Sequence, residues 1–222
     1  MMDKNSQDHI KAVAISEIRS PRLAVTKQFF AVHELDQTNP IRLVHPDDKG
    51  NWLVYFGIKG ERYYWVVVVK LGETESIAKW GYCNPHSAVY LQIISSILKP
   101  DAITAKLGLQ PTRQYEKGSL KQGVAGTRHG QRYDTSLWRY EENLPSATDF
   151  DKKLNSLLQI LVKRKQKLKS LLDSCSIGIQ VVHYVQVDYT WGWHLDKKQI
   201  LLLSQLGVEL DIDLNASGPD LP

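Results

Sequence analysis

The spacing of apolar and polar positions changes along this chain, and each change marks an element. NWLVYFGI and RYYWVVVVKL flank Lys59, Gly60 and Glu61. Both arms are rich in β-branched and aromatic residues, which predicts a hairpin. Residues 63–69 are unbroken apolar, the pattern of a central strand covered on both faces. Before the hairpin, TKQFFAVHEL and NPIRLVHPDDKGNW read as short extended segments, and residues 1–10 as a polar, loose N-terminus. After it, SIAKWGYC reads as a strand ending at Asn84 and Pro85, where a subdomain boundary is expected.

Beyond residue 85 strands alternate with helices. Val89, Leu91 and Ile93 lie on one face of a strand that passes through Pro100 and Asp101 into a short helix stopped by Gly108. SLWRYE reads as a strand. Phe150, Leu154, Leu157, Leu158, Leu161, Leu168, Leu171 and Leu172 keep three-and-four spacing, which predicts one long helix over 149–172 with Thr148 as its cap. SIGIQVVHYVQV follows as a buried strand. A helix over 196–206 then stops at Gly207, before a strand carrying Leu210, Ile212 and Leu214. The fold class expected is α+β: a mainly antiparallel sheet with the long amphipathic helix packed on it, preceded by a β-rich N-terminal part. The divisions expected are a flexible 1–10, a β-rich 11–85, an α+β domain over 86–215 and a tail, 216–222.

Composition narrows the function classes. The chain has 222 residues and 42% hydrophobic content, enough for a sizeable core. A formal charge of +4 is too mild to favour nucleic acid as a partner. The start MMDKNSQDHIKAVAIS lacks an apolar stretch behind a basic flank, so no secretory signal is read. The longest apolar run falls far short of the roughly 18 residues of a membrane span, and a cytoplasmic location with no membrane partner is expected. Two cysteines, Cys83 and Cys175, agree with a reducing compartment.

VYLQIISSILKPDAITAKLGLQPTRQYEKGSL, LWRYEENL, DKKLNSLLQILVKRKQKLKSLL and LLLSQLGVELDIDL follow in that order. The series comprises a strand, Pro-Asp-x-Ile-Thr, Leu-Gly-Leu-x-Pro-Thr, Lys-Gly, a Trp strand, a helix and a Leu-Gly-Val strand with Asp-x-Asp. It resembles the bacterial domain of unknown function 4279 family over about residues 87–215. The resemblance implies an α+β fold and no settled activity, and it lends support to an immunity-like or other binding role. Where many relatives end in Asp-Ile-Tyr, this chain has Asp211, Ile212, Asp213, Leu214 and Asn215.

Two loops carry the candidate chemistry. Arg113, Lys117, Lys121, Arg128, His129 and Arg132 lie in or beside a glycine-rich stretch whose backbone N–H groups could approach an anion. The stretch lacks P-loop spacing, and a solvated surface loop explains the same composition. Trp191, Trp193 and His194 form an aromatic loop, which suits a binding hot spot as well as the sealing of a core. Glu209, Asp211 and Asp213 share one strand face, most simply a solvated one. Cys83 and His86 supply half of a zinc motif, with His183, His194 and Cys175 far away in sequence, so no metal and no cofactor are expected. No nucleophile motif is present and no catalytic residue is assigned. The leading expectation is a non-catalytic binding or protein-interaction module with a protein partner of acidic character. The alternative is an enzyme or sensor holding a small anionic ligand at the cationic loop.

Overall fold

The hairpin seen in the sequence organises the first half of the molecule. In the computed structural model, which describes residues 4–72, 75–121 and 130–222, the elements run α1 (Lys4–Arg19), α2 (Ala24–Phe30), β1 (Ile41–Pro46), β2 (Trp52–Gly57), β3 (Tyr64–Lys70) and β4 (Ile77–Asn84). The four strands pair in order as one antiparallel sheet, with Phe56 opposite Trp65 and Val54 opposite Val67. Residues 63–67 and 69 are buried on the two sides of this sheet, and Val68 is half-buried. Tyr63, Trp65, Val67 and Val69 pack with Ile10 and Ala14 of α1 and Phe29 of α2, while Tyr64 and Val66 pack with Tyr55 and Ala147.

Two expectations are corrected here. The start of the chain is helical from Lys4, because Ile10, Ala14 and Glu17 fall at helical spacing and are buried together against the sheet. The TKQFF segment is helical as well, since burial of Phe29 between His33 and Trp65 outweighs its strand-like composition. The N-terminal part is therefore not β alone.

α2 has no capping side chain of its own; Glu17, 5% exposed, caps it from α1. Its Oε1 accepts the backbone N–H groups of Arg22 at 3.2 Å and Leu23 at 3.0 Å. Glu17→Ala is expected to lower stability by about 1–2 kcal/mol, the usual worth of a lost N-terminal cap, as read by urea denaturation. An unchanged midpoint would show that the cap contributes nothing.

The second half runs β5 (His86–Ser95), α3 (Pro100–Leu107), β6 (Arg113–Tyr115), β7 (Ser136–Glu141), α4 (Phe150–Val162), α5 (Lys165–Lys169), β8 (Ser176–Gln186), α6 (Lys197–Leu206) and β9 (Glu209–Ser217). Its sheet has the order β6-β7-β5-β8-β9, antiparallel except for the pair β8–β9, which α6 connects. Val89, Leu91, Ile93, Ile177, Ile179 and Val181 form its inner face. Ile103 and Leu107 of α3, Leu154, Leu157, Leu158 and Leu161 of α4, Leu168 of α5 and Leu203 and Leu206 of α6 cover that face. Gly108 and Gly207 close α3 and α6 in the left-handed region, at φ 67° and 70°. Among the described residues the molecule is α+β, with mainly antiparallel sheets and six helices.

The long helix expected over 149–172 is two helices. Arg164, at φ −119°, breaks it. Leu161 and Leu168 lie seven residues apart, close to two helical turns, so the apolar stripe reads as continuous across the break. Lys163 with Lys167, and Lys165 with Lys169, would also repel at four-residue spacing in an unbroken helix. The cap of α4 is Asp149, not Thr148, and its side chain makes no capping bond.

One residue, Pro85, separates β4 from β5, so the two sheets are joined almost directly. Further contacts tie them. Arg62 donates from Nη1 to Tyr184 Oη at 2.6 Å, and Ser217 Oγ donates to Glu61 Oε2 at 2.7 Å. Residues past β9 return to the first half. Leu221 packs on its core, its N–H donates to Asp188, and the carbonyl of Pro222 accepts from Gln28 at 2.7 Å. No described helix is long and apolar enough to cross a membrane.

Candidate functional site

Where the two sheets meet, three elements converge on a cleft of about 230 Å³: the β4–β5 junction, the start of α4 and the loop between β8 and α6. Its floor follows from strand parity. Ser87 and His183 stand opposite each other on β5 and β8, on the helix-facing side that continues Val89–Leu91 and Val181–Ile179. That side is apolar farther along, but at this end it is polar. Ser87 Oγ lies 2.8 Å from His183 Nδ1, and the other ring nitrogen, Nε2, is buried with no partner. Phe150 and Trp193 pack their rings against His183 at 5.3 and 5.0 Å between centroids. Burial, then repulsion between the two rings His183 and His86 when they take up protons, and then Lys153, pull the His183 pKa down to about 4, so the imidazole is neutral at physiological pH.

Lys153 braces this floor from α4. It is 7% exposed, and its Nζ donates to the carbonyls of Ser87 at 2.6 Å and Ser146 at 2.9 Å. Burial lowers its pKa, and the carboxylates of Glu141 and Asp149 oppose that shift. His86 shares the Ser146 carbonyl, with Nδ1 at 3.0 Å, and lies 3.1 Å from Tyr64 Oη. Burial, then Lys153, draws its pKa down to about 4. A smaller cavity of about 110 Å³ lies between His86, Glu141, Glu142, Ser146 and Lys153.

The aromatic loop expected to bind does line the cleft. Trp191, Trp193 and His194 all face it. Trp191 also packs against the first core and stacks on Tyr189, and its indole N–H is buried without an acceptor. Trp193 is 39% exposed. Asp149 and Asp151, at the start of α4, form the rim, and Asp149 pairs with Lys152 at 3.6 Å.

The cationic loop is elsewhere. It joins β6 to β7, whose first residue Ser136 pairs with Ser95 at the end of β5, whereas the cleft lies at the start of β5, about 30 Å away along the strand. Its described cations are each engaged separately. Lys117 Nζ donates to Ser96 O at 3.1 Å, Arg132 Nη1 donates to Gly118 O at 2.5 Å, and Lys121 lies 5.9 Å above the Tyr133 ring. Arg113 is exposed on β6 opposite Arg139. Arg128 and His129 lie outside the described residues.

Glu209, Asp211 and Asp213 are exposed on β9, where Asp211 accepts from Gln180. Cys83 belongs to the first core and Cys175 packs against the second, both as free thiols. The sequence reading does not single out Ser87 or Lys153, and it takes His86 and His183 only as distant parts of a rejected zinc motif. The available signals were polar residues at core-facing positions: Lys153 falls at i+3 from Phe150 on the apolar stripe, and His183 replaces an aliphatic residue in the Ile177, Ile179, Val181 series.

The family described as Domain of unknown function (DUF4279) matches residues 84–217. That span takes in the whole five-stranded sheet and every residue lining the cleft. No curated protein and no solved structure matches the chain.

Proposed function

Because the chain belongs to the family Domain of unknown function (DUF4279), which brings no activity with it, we propose from the site alone that the protein is a non-catalytic binding or interaction module. Its recognition surface is the cleft at the sheet junction. The observation that carries this reading is a half-open aromatic side chain, Trp193, packed on a buried imidazole with an unpartnered nitrogen. Binding sites combine these two features, an apolar surface for contact and a few fixed polar groups for orientation. A protein core seldom leaves such a nitrogen without a partner. Lys153, a side chain capable of amine chemistry, is committed to two carbonyls, and this supports binding over catalysis.

The test is capture of binding partners from the native cell extract by the tagged protein and by Trp193→Ala. The variant truncates a half-exposed ring and is expected to keep its melting temperature within about 3 °C while losing roughly tenfold or more of the captured material. Equal capture by both proteins would refute the cleft as the recognition surface. A Lys117→Glu, Arg132→Glu variant run alongside tests the cationic loop in the same way. An immunity-like role would further require that the captured material be one protein at one-to-one stoichiometry.

A further inference from the structure

Among the described residues, the helices of the second half cover one side of its sheet. α3 to α6 pack on the side of Val89, Leu91 and Ile93, and the opposite side carries Ala88, Tyr90, Gln92, Gln180 and Val182. Strand register sets the residues of this outer face in rows. One row runs Arg113, Arg139, Gln92, Gly178, Glu209 from β6 to β9, and the next runs Glu141, Tyr90, Gln180, Asp211 from β7 to β9. Tyr184, beneath the Arg62 guanidinium, bounds the face at the end nearest the first half.

Charge is sorted across this face. Glu209, Asp211 and Asp213 stand exposed at the β9 edge, whereas the opposite edge carries Arg113, exposed, and Arg139, half-buried. Among the described residues Arg113, Glu209 and Asp213 make no ion pair. Arg139 lies flat, its guanidinium 3.8 Å from the centre of the Tyr90 ring and its Nη2 donating to Gln92 Oε1 at 2.9 Å. Gly178 is a separate observation. Its φ is outside the left-handed region and a Cβ there would meet nothing closer than 3.7 Å, so neither the backbone nor the packing within the chain calls for glycine. Glycine inside a strand costs stability and marks places that another backbone approaches closely.

We propose that a second copy of this chain packs face to face on this sheet, about a two-fold axis running along β5. That axis exchanges the two edges. Glu209 of one copy meets Arg113 of the other, the bare Gly178 leaves room for Arg139, and the Gln180 amide meets Glu141, so both rows are complementary to themselves. With strands about 4.8 Å apart and about 3.3 Å of rise per residue, the five strands present roughly 500 Å² of flat area per copy. Side-chain relief brings that towards the ~800 Å² per partner of a standard interface. A polyanion is repelled at one edge and a polycation at the other; the two-fold copy matches both.

Sedimentation velocity of the full chain from about 1 to about 100 μM tests this, since interfaces of this size bind at micromolar concentration or tighter. The parent is expected to be dimeric at the upper end. Arg113→Glu and Glu209→Arg should each weaken the dimer roughly a hundredfold, because the two-fold axis repeats every contact. An equimolar mixture of these two variants should dimerise again, since one then carries acids at both edges and the other cations. That recovery also shows that both variants are folded. Gly178→Val should keep the parent's circular dichroism and lose the dimer. A parent that stays monomeric to about 100 μM overturns the proposal. So does a dimer that ignores both charge reversals, or a mixture that fails to recover. The cleft opens on the helix-covered side of the sheet, so its reading stands or falls separately.

Discussion

Lys153→Ala is expected to lower the unfolding free energy by about 3 kcal/mol, because it removes two buried hydrogen bonds and leaves a cavity beneath α4. The side chain joins three pieces at this end of the molecule: the first turns of α4, the start of β5 and the 144–148 connection. Lys153→Met should cost less, about 2 kcal/mol, since its apolar chain fills much of the same space and no buried cation remains to be desolvated. Urea denaturation at neutral pH measures both. If both variants are as stable as the parent, Lys153 is not structural, and its burial would have to be explained by chemistry at the small cavity beside His86 and Glu142.

The second large effect is a dependence on acidity. His86 and His183 are held neutral in the folded protein down to about pH 4, whereas in the unfolded chain they take up protons near pH 6.5. Below 6.5 the unfolded state therefore binds up to two more protons, so stability is full above that pH and declines as pH falls towards 4. Burial is the main cause for both rings, with Lys153 and Arg62 adding to it at His86, and His86 and Lys153 at His183. Between pH 6.5 and 5 the decline should reach about 2 kcal/mol, after allowing for the partial solvation of His86. At still lower pH the carboxyls of Glu34, Asp36 and Asp47, held below their usual range by hydrogen bonds and neighbouring cations, begin to add losses of their own. The histidine effect is therefore read above pH 5. A His86→Gln, His183→Gln double variant should show a flatter profile there, and a parent profile that is itself flat would mean that neither ring is protected from protonation.

Backbone punctuation was the most legible part of this chain. Gly108 and Gly207 end helices where glycine alone enters the left-handed region cheaply, and the turn at 59–61 joins arms that pair strand to strand. Helix against strand was harder to read where composition and burial disagree. TKQFF looks like a strand because its residues are branched or aromatic, yet a single packing choice, Phe29 between His33 and Trp65, makes it helical. The polar residues 4–9 hide the start of α1, and Ile10 and Ala14 of its inner face lie beside apolar Val13 and Ile15, which blurs the helical stripe. The break at Arg164 is invisible because a turn placed between leucines seven apart leaves their stripe in phase.

The site divides in the same way. Trp191, Trp193 and His194 are adjacent in sequence and could be read together. Ser87, Lys153 and His183 come from three separate segments, and their proximity is a product of strand pairing across 96 residues. Each departs from its own apolar pattern by one polar residue, a departure that has meaning only once the three are found side by side. The cationic cluster shows the opposite case, in which closeness in sequence does not become a shared site. Loop geometry gives Lys117 and Arg132 different carbonyls to satisfy.

The stretch that returns from β9 to α2 changes how the molecule comes apart. Leu221 lies in the first core while Ser217 ends a strand of the second sheet, so neither layer can open fully without pulling on the other. With Pro85 holding the layers together at one point and this return crossing at another, the chain forms a closed mechanical circuit through both. Unfolding should accordingly be a single cooperative event, and a denaturant profile followed through Trp65 in one layer should coincide with one followed through Trp138 in the other.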